Sequence, residues 1–253
     1  MTGFTLLKKL VCLSAPVAGL LLTLPPSTMA QKNGASCITC LGSLTTDLPG
    51  GPNLAFFRKG QPVLRHKRRP EMLVIGSQSN GWSAIENWAL VKALSQFGTL
   101  SGLTPTSTPA DSHYGFGGIP TYDFSRVAYQ SRYVSLVYRD LATRDGTPLQ
   151  HASAYEARLM RRFRGVGPFM LIGGYARGVS PLAPGELDAP SGSGLSFDSV
   201  VQDLQLHHAR QQYVDEINVE ANVLTALICH ADRGMPTSVC SKGAVHTILQ
   251  HIR

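Results

Sequence analysis

The pattern of apolar and polar residues becomes ordered at Met72, and from there it predicts strands and helices. Met72 to Ile75 is a short apolar run of the kind found in a buried parallel strand. A tight turn and a helix are predicted to follow, with Ser83 and Glu86 forming a capping box at the helix start. The inner face of that helix is expected to carry Ile85, Trp88, Leu90 and Leu94.

Further elements are predicted downstream of this helix. Tyr122, Phe124 and the run Tyr133–Tyr138 supply strand-like material, and Ser153–Phe163 has helical periodicity. A strand opened by Pro168 is expected to end in a Gly-Gly hairpin turn. Residues 197–211 and 217–230 are predicted to form two helices. This order predicts an α/β domain over residues 71–253 with extra C-terminal helices.

The first 30 residues have the features of an export signal. Lys8 and Lys9 precede an apolar stretch from Leu10 to Leu24, and small residues end the segment at Ala30. The apolar stretch is about 15 residues, shorter than the roughly 20 that span a bilayer. We therefore expect an exported protein, extracellular or in the cell envelope. An uncleaved N-terminal anchor is the alternative.

Composition adds a basic extension between this signal and the domain. The 253-residue chain is 43% hydrophobic and has a formal charge of +7, or +5 without Lys8 and Lys9. Residues 31–70 are rich in Gly, Pro and charge, and are predicted to form a flexible basic extension. A second cluster of arginines lies at positions 158–164. Such clusters bind phosphate or membrane surfaces, or are simply solvated, and no nucleic-acid motif accompanies them.

Four cysteines remain once Cys12 is removed with the signal. An even number in an exported protein indicates two disulfides, and the spacing favours local pairs. Cys229 ends an apolar helical run, and the turn after it can bring Cys240 back to it. Cys37 and Cys40 are expected to form an inert local disulfide, with a redox-active pair, free thiols or a metal site as alternatives.

Several motifs occur in the order found in one known family. The chain closely resembles the thioredoxin-like family called domain of unknown function 929 over roughly residues 62–240. The motifs are Ile75-Gly76, Trp88–Val91, Ala93–Thr99, Pro120–Phe124, Ser131–Ser135, Gly146–Gln150, Pro168-Phe169, Ala221–Cys229 and Pro236–Cys240. The resemblance implies a thioredoxin-like fold, and its closing signature supports the pairing of Cys229 with Cys240.

The reactive turn of that family is replaced in this chain. Members typically carry Cys-Pro-aromatic-Cys after an acidic residue, whereas this chain has Asn80-Gly81-Trp82-Ser83 preceded by Gln78. Neither Asn80 nor Ser83 can form a thiolate or a disulfide, so two-electron thiol chemistry is not possible at this turn. The resemblance also places Pro168 opposite the turn, where thioredoxin folds often have a cis proline.

The function expected from these observations is binding without catalysis. Trp82, Tyr122, Gly167 and Pro168 are predicted to bound a groove for an extended peptide or another envelope protein. The basic extension is a candidate for contact with a membrane surface. No cofactor is expected, and Asp203 with His207 provides too few ligands for a metal site. The alternatives are a thiol–disulfide oxidoreductase acting through Cys37 and Cys40, and a structural domain without a ligand.

Overall fold

A computed structural model describes residues 51–110, 116–165, 167–187, 194–206 and 211–252. The helices are α1 (Gly51–Leu54), α2 (Gly81–Leu94), α3 (Ala154–Met160), α4 (Phe197–Leu206), α5 (Gln212–Ala231), α6 (Thr237–Cys240) and α7 (Gly243–His251). The strands are β1 (Arg58–Lys59), β2 (Arg65–His66), β3 (Arg69–Gly76), β4 (Gly98–Ser101), β5 (Thr104–Ser107), β6 (Pro120–Asp123), β7 (Ala128–Ser131), β8 (Ser135–Asp140), β9 (Phe169–Ile172) and β10 (Tyr175–Arg177). The expected signal and the first part of the extension, residues 1–50, lie outside the described residues.

A mixed sheet forms the centre of the molecule, with β3 in the middle. β3 pairs in parallel with β8 on one side and antiparallel with β9 on the other, and β10 and β1 continue the sheet beyond β9. β2 forms a short antiparallel pair with the start of β3. The predicted α/β class is confirmed, and this topology is compatible with the thioredoxin-like fold that was expected.

The two faces of the sheet are covered by different helices. Side chains alternate along β3, so Met72 and Val74 join the large core with α2 and α5, while Leu73 and Ile75 face the smaller core with Leu159 of α3. The apolar run that predicted β3 is therefore explained by burial on both faces.

Helix α2 is buried on nearly all sides. It packs against α5 and β6, and its fully buried residues include the charged Glu86 and Lys92. The residues predicted for the inner face are all buried, and the tertiary packing also covers the rest of the helix. None of the described helices is long and apolar enough to cross a membrane.

The second part of the predicted flexible extension packs on the domain. The side-chain amide of Asn53 donates to Glu220 at 3.1 Å, β1 pairs with β10, and Phe57 is buried under the guanidinium of Arg177 at 4.4 Å. Residues 51–70 are therefore part of the folded unit, which corrects the boundary predicted at residue 71. The sequence pattern missed this because each of these elements is too short to show a period.

Two local predictions are confirmed at the C-terminal half. Gly173 and Gly174 both have positive φ, at 57° and 87°, and connect β9 to β10 as a two-residue hairpin turn. Cys229 and Cys240 form a disulfide with their Cα atoms 5.6 Å apart, and both residues are buried. Cys37 and Cys40 lie outside the described residues.

Candidate functional site

The turn Asn80–Ser83 lies at the start of α2, where the chain leaves β3. Asn80 caps the helix, since its Oδ1 accepts a hydrogen bond of 2.8 Å from the backbone N–H of Ser83. The capping box predicted for Ser83 and Glu86 was wrong. Ser83 lies in the first turn of α2, where its backbone N–H donates to the capping side chain of Asn80. A capping box forms instead in α3, between Ser153 and Glu156.

The turn lies where two parallel strands end. Gly76 of β3 and Asp140 of β8 are paired in the sheet, and Leu141 N–H donates to the carbonyl of Gly76 at 2.9 Å. The carboxyl ends of parallel strands open into the loops that follow them, and ligand sites of open α/β sheets lie there. This edge is therefore the natural place to look for a site.

A cavity of about 270 Å³ opens beside the turn. It brings Asn80 and Ser83 together with Gly167 and Pro168, as the sequence predicted. The cis bond expected before Pro168 was wrong: the Gly167–Pro168 bond is trans, and the cis bond among the described residues is Met235–Pro236. A shared cavity thus forms without the cis geometry.

Two of the predicted groove residues lie elsewhere. The Trp82 ring packs edge-on against Phe116 with centroids 5.2 Å apart, and it does not line this cavity. Tyr122 is almost fully buried, and its ring contacts Trp88 at 4.8 Å. Tyr122 is therefore a core residue. The cavity wall that sequence reasoning assigned to these rings is formed by Ile75, Leu141, Met160, Phe163 and Phe169.

Glycine residues allow two backbone segments to form the other wall of the cavity. A Cβ on Gly165 would lie 2.1 Å from the carbonyl oxygen of Gly178, and a Cβ on Gly178 would lie 1.9 Å from that of Phe163. The two segments can approach this closely only because neither residue has a side chain. Gly167 is partly exposed at the rim, and its N–H and C=O form no hydrogen bond with any described residue.

A bridged pair of carboxylates lies next to the turn. The side-chain amide of Gln78 donates 2.9 Å hydrogen bonds to both Asp123 and Asp140. Burial raises the pKa of Asp140 to about 6, Gln78 opposes this shift, and the charge of Asp123 adds to it. The other oxygen of Asp140, Oδ1, has no hydrogen-bond partner among the described residues. Part of the population is therefore protonated in mildly acidic solution.

Beneath α2, three ionisable side chains form a buried group that sequence reasoning missed. Arg177 of β10 contacts Glu86 of α2, and lies 2.7 Å from Oε1 of Glu220 in α5. Ser180 donates to Glu86 at 2.6 Å. Burial raises the pKa of Glu220 to about 8 against the opposing effect of Arg177, while Glu86 adds to the shift. The signal in the sequence is an ionisable residue within each of three apolar runs.

The turn offers polar groups and no thiol. These are hydroxyl, amide and backbone groups, and Asp140 nearby offers a carboxyl whose pKa is raised. The described part of the chain contains no group of three or more His, Cys, Asp or Glu side chains placed to hold a metal ion. The geometry is suited to binding a chain segment through apolar contacts and backbone hydrogen bonds.

Comparison with known proteins gives one match. The model of the family described as "Domain of unknown function (DUF929)" matches residues 57–164, a little under half of the chain. This range includes Asn80–Ser83 and α3, and ends before Gly167, Pro168 and the two disulfide-bonded cysteines. No curated protein and no solved structure was found to match the chain.

Proposed function

From the match to domain of unknown function 929 and the cavity at the end of β3, we propose that this chain is a thioredoxin-like binding module of an exported protein. It acts without catalysis at the usual turn and binds an extended peptide or a segment of a partner protein. The observation that carries this proposal is that one cavity joins the replaced turn, through Asn80 and Ser83, to the backbone of Gly167 and Pro168.

The cavity has the size and lining that a peptide needs. At about 270 Å³ it lies below the roughly 300–1,000 Å³ of small-molecule pockets, and it suits one or two side chains. Apolar side chains such as Phe163 and Met160 would contact an apolar residue of the peptide. The N–H and C=O of Gly167, which form no hydrogen bond with any described residue, can pair with the peptide backbone, as in strand addition to an exposed edge.

A cavity-filling variant tests the binding part. Peptides selected from a random library against the full chain are expected to lose at least about tenfold in affinity for Ser77→Trp, because Ser77 lines the cavity. The matched control is Ser101→Trp, an exposed position in β4 away from it. Equal affinity for both variants, or failure to select any peptide, would contradict the proposal.

A thiol assay tests the noncatalytic part. Insulin reduction by the full chain is expected to stay at background, since Asn80 and Ser83 carry no thiol and the disulfide of Cys229 with Cys240 is buried. The remaining Cys-x-x-Cys is tested by Cys37→Ser with Cys40→Ser. Turnover lost in that variant would favour the oxidoreductase alternative. Insulin reduction that persists in this double variant would contradict the assignment of the turn Asn80–Ser83 as inactive.

A further inference from the structure

We propose that the segment bound at this cavity is acidic, with apolar residues interspersed, and that a cluster of arginines around the cavity recognises its carboxylates. This inference rests on the peptide-binding function proposed above and identifies the class of partner. The arginines are Arg58, Arg161, Arg162 and Arg164, and we call the surface they surround the arginine groove.

The groove consists of three depressions that adjoin one another around Arg164. The cavity beside the turn shares Leu141, Met160 and Arg164 with a neighbouring depression of about 520 Å³. It shares Phe163, Arg164 and Gly178 with another of about 500 Å³ on the other side. Together they are large enough for several consecutive residues of an extended chain.

The charge of the groove is of one sign. None of the residues that line the three depressions is Asp or Glu. The exposed arginines at 58, 161, 162 and 164 form no ion pair with any described residue, whereas Arg139 is paired with Glu156 and Arg177 with two buried glutamates. The N-terminus of α2 also opens at the cavity, and its dipole adds positive potential. A concave surface of this kind attracts and orients an anionic partner.

Apolar groups are exposed among these charges. Phe56 and Val179, which line the 500 Å³ depression, are 45% and 38% exposed, and the guanidinium of Arg58 lies over the ring of Phe163 at 5.8 Å. Free phosphate would leave these groups uncovered, and a planar membrane surface could not enter the depressions. An extended peptide presents successive side chains to opposite sides and can satisfy both kinds of contact.

The test compares three labelled peptides of about twelve residues by fluorescence anisotropy with the full chain. Phe and Leu alternate with Glu in the first peptide, with Gln in the second and with Lys in the third. The Glu peptide is expected to bind at least about tenfold more tightly than the Gln peptide, with the difference shrinking as salt is raised. The Lys peptide is expected to show no binding.

Charge-matched variants locate the interaction. The triple variant Arg161→Gln, Arg162→Gln, Arg164→Gln is expected to weaken binding of the Glu peptide at least about tenfold. The control removes the same charge at exposed arginines outside the groove, Arg132, Arg144 and Arg158, and is expected to change it less than about twofold.

The outcomes separate this inference from the function on which it rests. Equal loss in both triple variants, or equal binding of the Glu and Gln peptides, would overturn the acidic specificity while leaving peptide binding intact. Groove-dependent binding of phosphatidylglycerol vesicles without binding of the Glu peptide would overturn it in favour of a membrane surface. If neither these peptides nor any library peptide binds, the proposed function itself fails.

Discussion

Replacing Asp140 by Asn should make the protein more stable near neutral pH and have little effect in acid. Asp140 is 1% exposed, receives one hydrogen bond from Gln78, and lies near the charge of Asp123. Asn keeps an oxygen that can accept from Gln78 but carries no charge at any pH. The substitution therefore removes the cost of a buried carboxylate while preserving most of its local contacts.

The magnitude follows from the shifted pKa. The pKa of Asp140 rises from 3.8 to about 6, so the folded state holds the proton more tightly than the unfolded state. The stability associated with the protonated form is present at low pH and is lost as the pH rises from 3.8 to about 6. This rise in pKa corresponds to a loss of about 3 kcal/mol in the free energy of unfolding. About 2.5 kcal/mol of that loss falls between pH 4 and pH 7.5.

Urea unfolding at these two pH values measures the effect, with the fluorescence of Trp82 and Trp88 as the signal. Other groups titrate in the same range, so the informative quantity is the difference in the free energy of unfolding between Asp140→Asn and the unmodified chain. That difference should change by about 2.5 kcal/mol in favour of the variant as the pH rises. The exposed Asp198→Asn is the control. A difference that is the same at both pH values would refute the reasoning.

Three further sites are tested by substitution and urea unfolding. Arg177→Met leaves Glu86 and Glu220 buried without their cation and should lower the free energy of unfolding by about 3–5 kcal/mol. A loss under about 1 kcal/mol would show that the ion pairs do not form. Replacing Cys229 and Cys240 by Ala opens a short loop and should cost about 3 kcal/mol, and reductant should then have no further effect on stability. Asn80→Ala removes the cap of α2 and should lower the free energy of unfolding by about 1 kcal/mol, whereas Asn80→Asp should retain most of the stability. Equal losses in the two variants would exclude the capping role.

Local signals in the sequence predicted the parts of the fold that local interactions determine. The apolar run at Met72 predicted β3, and Gly173-Gly174 predicted the hairpin because only that turn type needs two residues with positive φ. The pairing of Cys229 with Cys240 was also accessible, since a short turn separates them. Each of these features depends on residues within a few positions of one another.

Tertiary contacts account for what the sequence did not reveal. Glu86 was read as a capping residue because its spacing from Ser83 fits a box, yet it is buried by Arg177 from a strand 91 residues away. Tyr122 was assigned to a groove by its chemistry, and the packing of Trp88 places it in the core. No period along the chain encodes such contacts.

The cavity shows the same division between local and long-range information. The resemblance placed Pro168 opposite the turn correctly, because it depends on the order of elements, but it implied a cis bond that is absent at Gly167–Pro168. The arginine groove depended on a packing that no motif reports, since Arg58 comes from the supposed extension and Arg164 from the segment after α3. Sequence clusters of positive charge became a single surface only in the folded chain.

Gln78 connects the turn Asn80–Ser83 with the charges around it. The resemblance noted in the sequence implied an acidic residue at this position, whereas the neutral amide of Gln78 donates 2.9 Å hydrogen bonds to Asp123 and Asp140. A glutamate in its place would put a third carboxylate within hydrogen-bonding distance of two others, one of which already has a raised pKa. The amide instead holds the carboxylates at the ends of β6 and β8 and adds no charge. The neutral amide adds no third carboxylate beside the neighbouring arginines, which favours the proposed binding of an acidic segment.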